Sequence, residues 1–267
     1  QGATPGTSAI DLNLFVLVNL VVLTCIYLWA ARRVSTSWPP GSTLAFIGSM
    51  TALALAYLGP FGAWAHDALW AHMGQHLLVL MVAGPLFVLS SPVRLLFLNL
   101  GAVGRRRLIQ ILRSRVVGCL TNPYFGWSFF ALTLLGTHTQ WVMNWVLLDH
   151  DAMEFIIRPT YLVAAFIFYS PLIGCDLIAR RPATTLRLVS LLLMMLPETV
   201  LGIILHLAPI TLYWPYEVSA SAYGLDAMAD QKFAGALMWA LAMVLEGMWF
   251  MVAAIEWWRD QERETNR

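Results

Sequence analysis

The feature that most constrains this chain is a succession of long apolar runs, broken only by short stretches of arginine, proline and glycine, that fills it from about residue 12 to about residue 257. Roughly 20 apolar residues make a helix that crosses about 30 Å of hydrocarbon. Inside a bilayer every backbone N–H and C=O must be satisfied within the protein, and runs of this length do so as helices. Seven candidate spans emerge, at about 12–31, 43–60, 70–98, 123–144, 151–178, 186–207 and 231–257. They predict an all-α, polytopic membrane protein with a single seven-helix domain over residues 12–258, an outer polar segment at 1–11 and a cytoplasmic tail at 259–267. With 59% hydrophobic and 12% charged side chains, an ordinary soluble domain is excluded, since about a quarter of its residues would be charged. The first span ends in Ala30-Ala31-Arg32-Arg33 and lacks a basic leader, so it reads as a spanning helix rather than a signal peptide. The polar residues before it fit what a removed signal leaves behind.

Sidedness comes from the basic residues, which are retained on the cytoplasmic face. With seven spans and the N-terminus outside, 14 of the 16 basic residues fall inside, leaving Arg158 and Lys232 outside. One span missed or invented would scramble that alternation. The net charge of +1 excludes a general attraction to nucleic acid. Within the inner segment 104–117, Leu108, Ile111, Leu112 and Val116 recur at helical spacing opposite a row of arginines, predicting a helix lying on the anionic inner leaflet. The outer segment 208–230 carries Tyr213, Trp214, Tyr216 and Tyr223, a composition suited to the headgroup level and to capping the outer helix ends.

All six histidines, His66, His72, His76, His138, His150 and His206, fall on the outer side of this topology. His72 and His76 are four residues apart, so both imidazoles project from one helical face. A short outer loop brings His138 and His150 to the same depth, and His206 ends the sixth span there. Imidazole suits zinc, copper, iron and nickel, and thioethers move the choice toward Cu(I); Met73, Met143 and Met153 lie at this level. Taken singly, each histidine has a plainer reading, because an imidazole at the membrane surface is readily solvated. The three cysteines, Cys25, Cys119 and Cys175, fall on the inner side and read as free thiols. Ionisable groups within spans are the other costly feature. Glu198 follows Pro197 midway along the sixth span and Glu246 lies midway along the seventh, each to be protonated, paired or facing a wet interior. Glu154 and Arg158 are spaced for a local ion pair, with Pro159 kinking the helix beside them, and Asp176 and Arg180 repeat that spacing at the inner end.

Three strings carry a family resemblance: His72-Met73-Gly74-Gln75-His76-Leu77 opening a helix, Leu212-Tyr213-Trp214-Pro215-Tyr216 in the outer loop, and Asp230-Gln231 followed by Gly235 and Met238-Trp239. Over roughly residues 40–258 the chain resembles the seven-helix cytochrome c oxidase assembly factors of the caa3-type CtaG family. The resemblance implies a factor of the bacterial inner membrane, not an enzyme, that equips a haem–copper oxidase with copper. It also implies that Cu(I) is handled at the outer face and that oxidase subunits are the partners. Carried over by position, His72 and His76 correspond to the family's histidine pair, and Asp230 and Gln231 to its polar start of the last helix. The chain departs at Glu154, where a second histidine near His150 is expected.

The physical picture is a shallow, open site built from several helix ends. Two other classes stand beside it: a permanently bound accessory subunit of a respiratory complex, in which the histidines are incidental, and a haem-binding electron carrier using histidines on facing helices. A retinal protein is excluded because the lone lysine, Lys232, sits at the mouth of the last helix. No nucleophile–base pair or phosphate-binding glycine loop supports an enzyme.

Overall fold

The described residues form helices and contain no strand. The computed structural model describes residues 6–34, 38–149, 152–174, 176–178 and 181–265. In chain order the helices are α1 (Gly6–Arg33), α2 (Pro40–Tyr57), α3 (Pro60–Trp64) and α4 (Leu69–His76), which runs through a π-helical stretch, Leu77–Ala83, into α5 (Gly84–Leu89). Next come α6 (Pro92–Asn99), α7 (Ala102–Leu112), α8 (Arg115–Leu120), α9 (Pro123–Thr137) and α10 (Gln140–Leu148). A π-helical turn, Met153–Ile157, then leads into α11 (Arg158–Tyr169), followed by α12 (Thr184–Leu207), α13 (Trp214–Ala222) and α14 (Ala227–Thr265). Among the described residues, five stretches are long and apolar enough to cross a membrane, Asn13–Arg33, Pro40–Trp64, Leu69–Asn99, Thr184–Leu207 and Ala227–Arg259, and the sharply bent pair Gln140–Leu148 with Met153–Tyr169 makes a sixth if taken as one span. The chain is a multi-pass, all-α membrane protein.

The fourth and fifth spans are shorter and more broken than the hydropathy pattern predicts. Where a helix over about 123–144 is expected, α9 ends at Thr137. Thr137 Oγ1 donates to the Thr133 carbonyl at 2.7 Å and Thr139 Oγ1 to the Gly136 carbonyl at 2.8 Å, local bonds that compete with helix continuation. Where a helix to about 178 is expected, α11 ends at Tyr169: Pro171 brings no N–H to the Ile167 carbonyl four residues back, and Gly174 adopts φ +73°. The single inner helix expected over 104–117 is instead α7 and α8, separated where Ser114 turns its hydroxyl to accept the Val117 N–H at 3.3 Å. The expected pairing of Asp176 with Arg180 cannot be followed, since Arg180 lies outside the described residues. Asp176 itself accepts the N–H groups of Val93 and Arg94, at 3.0 and 2.7 Å, at the start of α6.

Both π-helical stretches precede a proline. Pro159 stands just after Met153–Ile157, so a widened turn occupies the place where a kink is expected. Pro85 follows Leu77–Ala83 and brings no N–H to the Met81 carbonyl four residues back. The Trp249 indole donates to that carbonyl at 2.6 Å, and Ser49 Oγ donates to the Ala83 carbonyl at 2.8 Å. The centre of the molecule is therefore stitched by side chains where the helical ladder is interrupted.

α4 and α5 run through the middle of the bundle, with α2, α11 and α14 around them, while α1 lies at the periphery with most of its apolar surface exposed. α12 and α14 form the most extensive helix pair. Gly202 and Gly235 face each other there. A Cβ at Gly235 would stand 2.6 Å from the Gly202 carbonyl oxygen, and one at Gly202 would stand 2.8 Å from that of Gly235. Without a side chain at either position the two backbones touch, the packing that holds helices together in lipid.

Candidate metal centre

His72 and His76 share one face of α4, and their ring centroids lie 4.5 Å apart. The turn that ends α9 adds His138, whose ring is 5.8 Å from that of His72 and 4.9 Å from that of His76. One ligand atom from each of the three lies within 4.8 Å of the other two. The Nε2 atoms of His76 and His138 are buried without a hydrogen-bond partner.

The Nδ1 atoms of His138 and His72 are committed. His138 Nδ1 is 2.7 Å from the Leu134 carbonyl, which accepts its proton and leaves Nε2 unprotonated. His72 Nδ1 is 3.0 Å from Tyr216 Oη, which itself donates to the Ala65 carbonyl at 2.7 Å. With its proton so engaged, that phenol accepts from His72 Nδ1–H, and His72 is also held as an Nε2 ligand. Burial, reinforced by the nearby Asp230 carboxylate, holds the Tyr216 hydroxyl well above the usual phenol range. Tyr213, likewise raised by burial, donates to the His138 carbonyl at 2.7 Å. Tyr161 stacks on His76 with 4.4 Å between ring centroids and hydrogen-bonds Thr137.

The expectation of a shallow, open site is corrected here. His72, His76 and His138 retain 2%, 7% and 6% of their surface, because the outer segment does more than cover helix ends. It folds α13 over the site and sends Tyr213 and Tyr216 inward. A cavity of about 10 Å³, lined in part by His72, Gln75, His76, Met153 and Tyr161, holds a single small occupant at most.

The other candidates are placed differently. His206 is exposed and its Nδ1 lies 2.9 Å from the Lys232 carbonyl; His66 is half-buried in the connection before α4, outside the trio. His150 lies outside the described residues. Met73 is fully buried in the hydrophobic core, whereas the thioether in the cavity wall is that of Met153. Glu154 pairs with Arg158, whose guanidinium lies 4.7 Å from the Tyr57 ring, and Arg158 also lines the histidine cavity. Glu198 and Glu246 are buried in α12 and α14 and belong to neither the trio nor its cavity.

Asp230 and Gln231 explain how the trio is held. Asp230 accepts the N–H groups of Leu69 and Trp70, at 2.7 and 3.2 Å, capping α4 one turn before His72. Gln231 accepts the Leu212 N–H at 2.7 Å and donates to the Leu205 and Ile210 carbonyls at 3.2 and 3.1 Å, which fixes the outer segment just before Tyr213. Gly235 makes the close crossing with Gly202, Met238 is buried, and Trp239 packs beside that crossing. The tyrosines are the part sequence reasoning missed: their aromatic character was legible, but not the inward direction of their hydroxyls.

The chain is similar to known proteins over most of its length. The profile of the cytochrome c oxidase caa3 assembly factor family, Caa3_CtaG, matches residues 25–260. Uncharacterized proteins of Mycobacterium bovis and Mycobacterium tuberculosis are each 26% identical over 246 residues, covering 89% of this chain and 37% of theirs. One from Mycobacterium leprae is 25% identical over 239 residues, covering 86% of this chain and 36% of its own. The chain thus spans little more than a third of the curated relatives it matches. No solved structure matches it. On the strength of a match across nearly its whole length, the chain belongs to the cytochrome c oxidase caa3 assembly factor family.

Proposed function

We propose that this protein binds one Cu(I) ion through His72, His76 and His138 on the outer side of a bacterial inner membrane and passes it to a haem–copper oxidase subunit. The observation that carries the reading is the convergence of three buried imidazoles whose ligand atoms lie within 4.8 Å of one another. Copper is the cargo, and the donor set fits it. Neutral imidazoles suit a borderline metal, the thioether of Met153 in the cavity wall favours the cuprous state, and the two partnerless Nε2 atoms have a use only when something is bound. The distribution of basic residues supports the reading that the chain crosses seven times with its N-terminus outside, which has this centre face the outer side.

The haem reading loses support from the same geometry. Bis-histidine ligation needs two imidazoles on opposite sides of a porphyrin plane, whereas the rings of the trio stand in edge contact at 4.5–5.8 Å beside a cavity of only about 10 Å³.

The test is anaerobic Cu(I) titration of the purified protein against a chromophoric chelator. The native chain retains one equivalent, whereas His76→Ala and His138→Ala each abolish retention and fail to support oxidase maturation in cells. Unchanged copper retention in the His72→Ala/His76→Ala double variant would overturn the assignment.

A further inference from the structure

Glu198 and Glu246 lie on the two helices that form the tightest pair in the bundle, and neither takes part in the histidine centre. They retain 0% and 1% of their surface. Both oxygens of Glu198 and the Oε2 of Glu246 are buried without a hydrogen-bond partner. The remaining oxygen, Glu246 Oε1, accepts the hydroxyl proton of Tyr169 at the end of α11, itself fully buried. Both carboxyls lie on the buried faces of α12 and α14, the two helices that pack most extensively on one another.

No positive charge compensates them. Among the described residues neither carboxylate has a cationic partner. Of the elements packed around α12 and α14, α9 and the π-helical stretch Leu77–Ala83 carry no ionisable group other than Tyr124 near the start of α9, α4 carries the imidazoles of His72 and His76, and α13 carries Tyr216 and Glu217, with Tyr223 just after it, at its side of the bundle. On α12 and α14 themselves the nearest charges are Arg187 and Glu256, bonded to each other at 2.8 Å and about three turns toward the inner end. Two carboxylates ionised together in such a place would combine desolvation with mutual repulsion.

We propose that Glu198 and Glu246 form an intramembrane proton-binding site: a carboxyl–carboxylate pair sharing one proton, which resides on Glu198. The ligand is a proton, and Tyr169 decides where it sits. Its O–H already stabilises charge on Glu246, so Glu198, which has no donor of its own, becomes the neutral acid. Protonation also removes the unsatisfied groups. Glu198 changes from an acceptor with nothing to accept into a donor, for which the orphaned Glu246 Oε2 is an acceptor. Pro197, one residue before, also leaves the carbonyl of Leu193 without its helical N–H partner.

Infrared spectroscopy of the full chain in lipid bilayers at neutral pH tests this. A carboxylic-acid C=O band worth one group is expected, shifting in D2O, lost in Glu198→Gln, kept in Glu246→Gln and displaced in Tyr169→Phe. Should Glu198→Gln not assemble, Glu198→Asp serves in its place and must move the band. Absence of the band from the native protein overturns the proposal, as does a band that is indifferent to both changes at residue 198 or lost in Glu246→Gln. The outcome is independent of whether copper binds.

Discussion

Tyr216 meets His72 with one hydroxyl while donating to the Ala65 carbonyl, so one side chain fixes both a ligand's tautomer and the backbone that leads into α4. Removing the hydroxyl leaves the ring to fill its place and frees His72 Nδ1. Tyr216→Phe is therefore expected to lower Cu(I) affinity on the order of 10–100-fold while the chain still folds, measured by chelator competition alongside thermal unfolding. Asp230 acts in the same way on backbone. Asp230→Ala removes the cap of α4 and should cost about 1 kcal/mol of stability, seen as a lower melting temperature, together with weaker copper retention because His72 and His76 ride on that helix. At this scale the histidine pair was legible, since i, i+4 spacing translates directly into one helical face. The choice of His138 as third partner was not, because the sequence offers His66, His150 and His206 at a similar depth and depth alone cannot say which rings converge.

Among the elements, the crossing of α12 and α14 depends on the absence of side chains. A methyl group at Gly235 would lie 2.6 Å from the Gly202 carbonyl oxygen and 2.7 Å from the His206 nitrogen, against backbone that has no rotamer to change. Gly235→Ala is expected to destabilise the protein by about 1–3 kcal/mol, read as early thermal unfolding in detergent, whereas Ala at Gly247, which meets nothing within 4 Å, should be neutral. Helix identity was legible from hydropathy because apolar length is what a bilayer selects. Helix ends were not. Hydropathy averages over many residues, and α9 stops where Thr139 leaves helical backbone and returns its N–H and its hydroxyl to the Gly136 carbonyl, a local effect to which an averaged quantity is blind. The π-helical stretches were invisible for a similar reason: Pro85 and Pro159 announce an interruption, but whether the backbone kinks or widens depends on donors supplied from elsewhere, such as Trp249.

For the molecule as a whole, the uneven placement of arginine predicts orientation, and Cys119 offers a way to test it. This free, exposed thiol follows the arginine-rich segment, near the C-terminal end of α8. In a variant keeping Cys119 alone, a membrane-impermeant maleimide added to right-side-out vesicles should leave it unlabelled and react once the vesicles are opened; labelling of sealed vesicles would reverse the topology.

The bonds from Asp230 to Leu69 and from Gln231 to Leu212 span 161 and 19 residues of chain, and they give the order of synthesis a meaning. A chain emerging from the ribosome carries His72, His76 and His138 into the membrane long before the start of α14 exists. Until α14 is in place, α4 lacks its Asp230 cap and the tyrosine cover lacks its Gln231 anchor. The histidines are therefore held together firmly only once α14 has been made, and a shorter nascent chain stays a poor competitor for scarce metal.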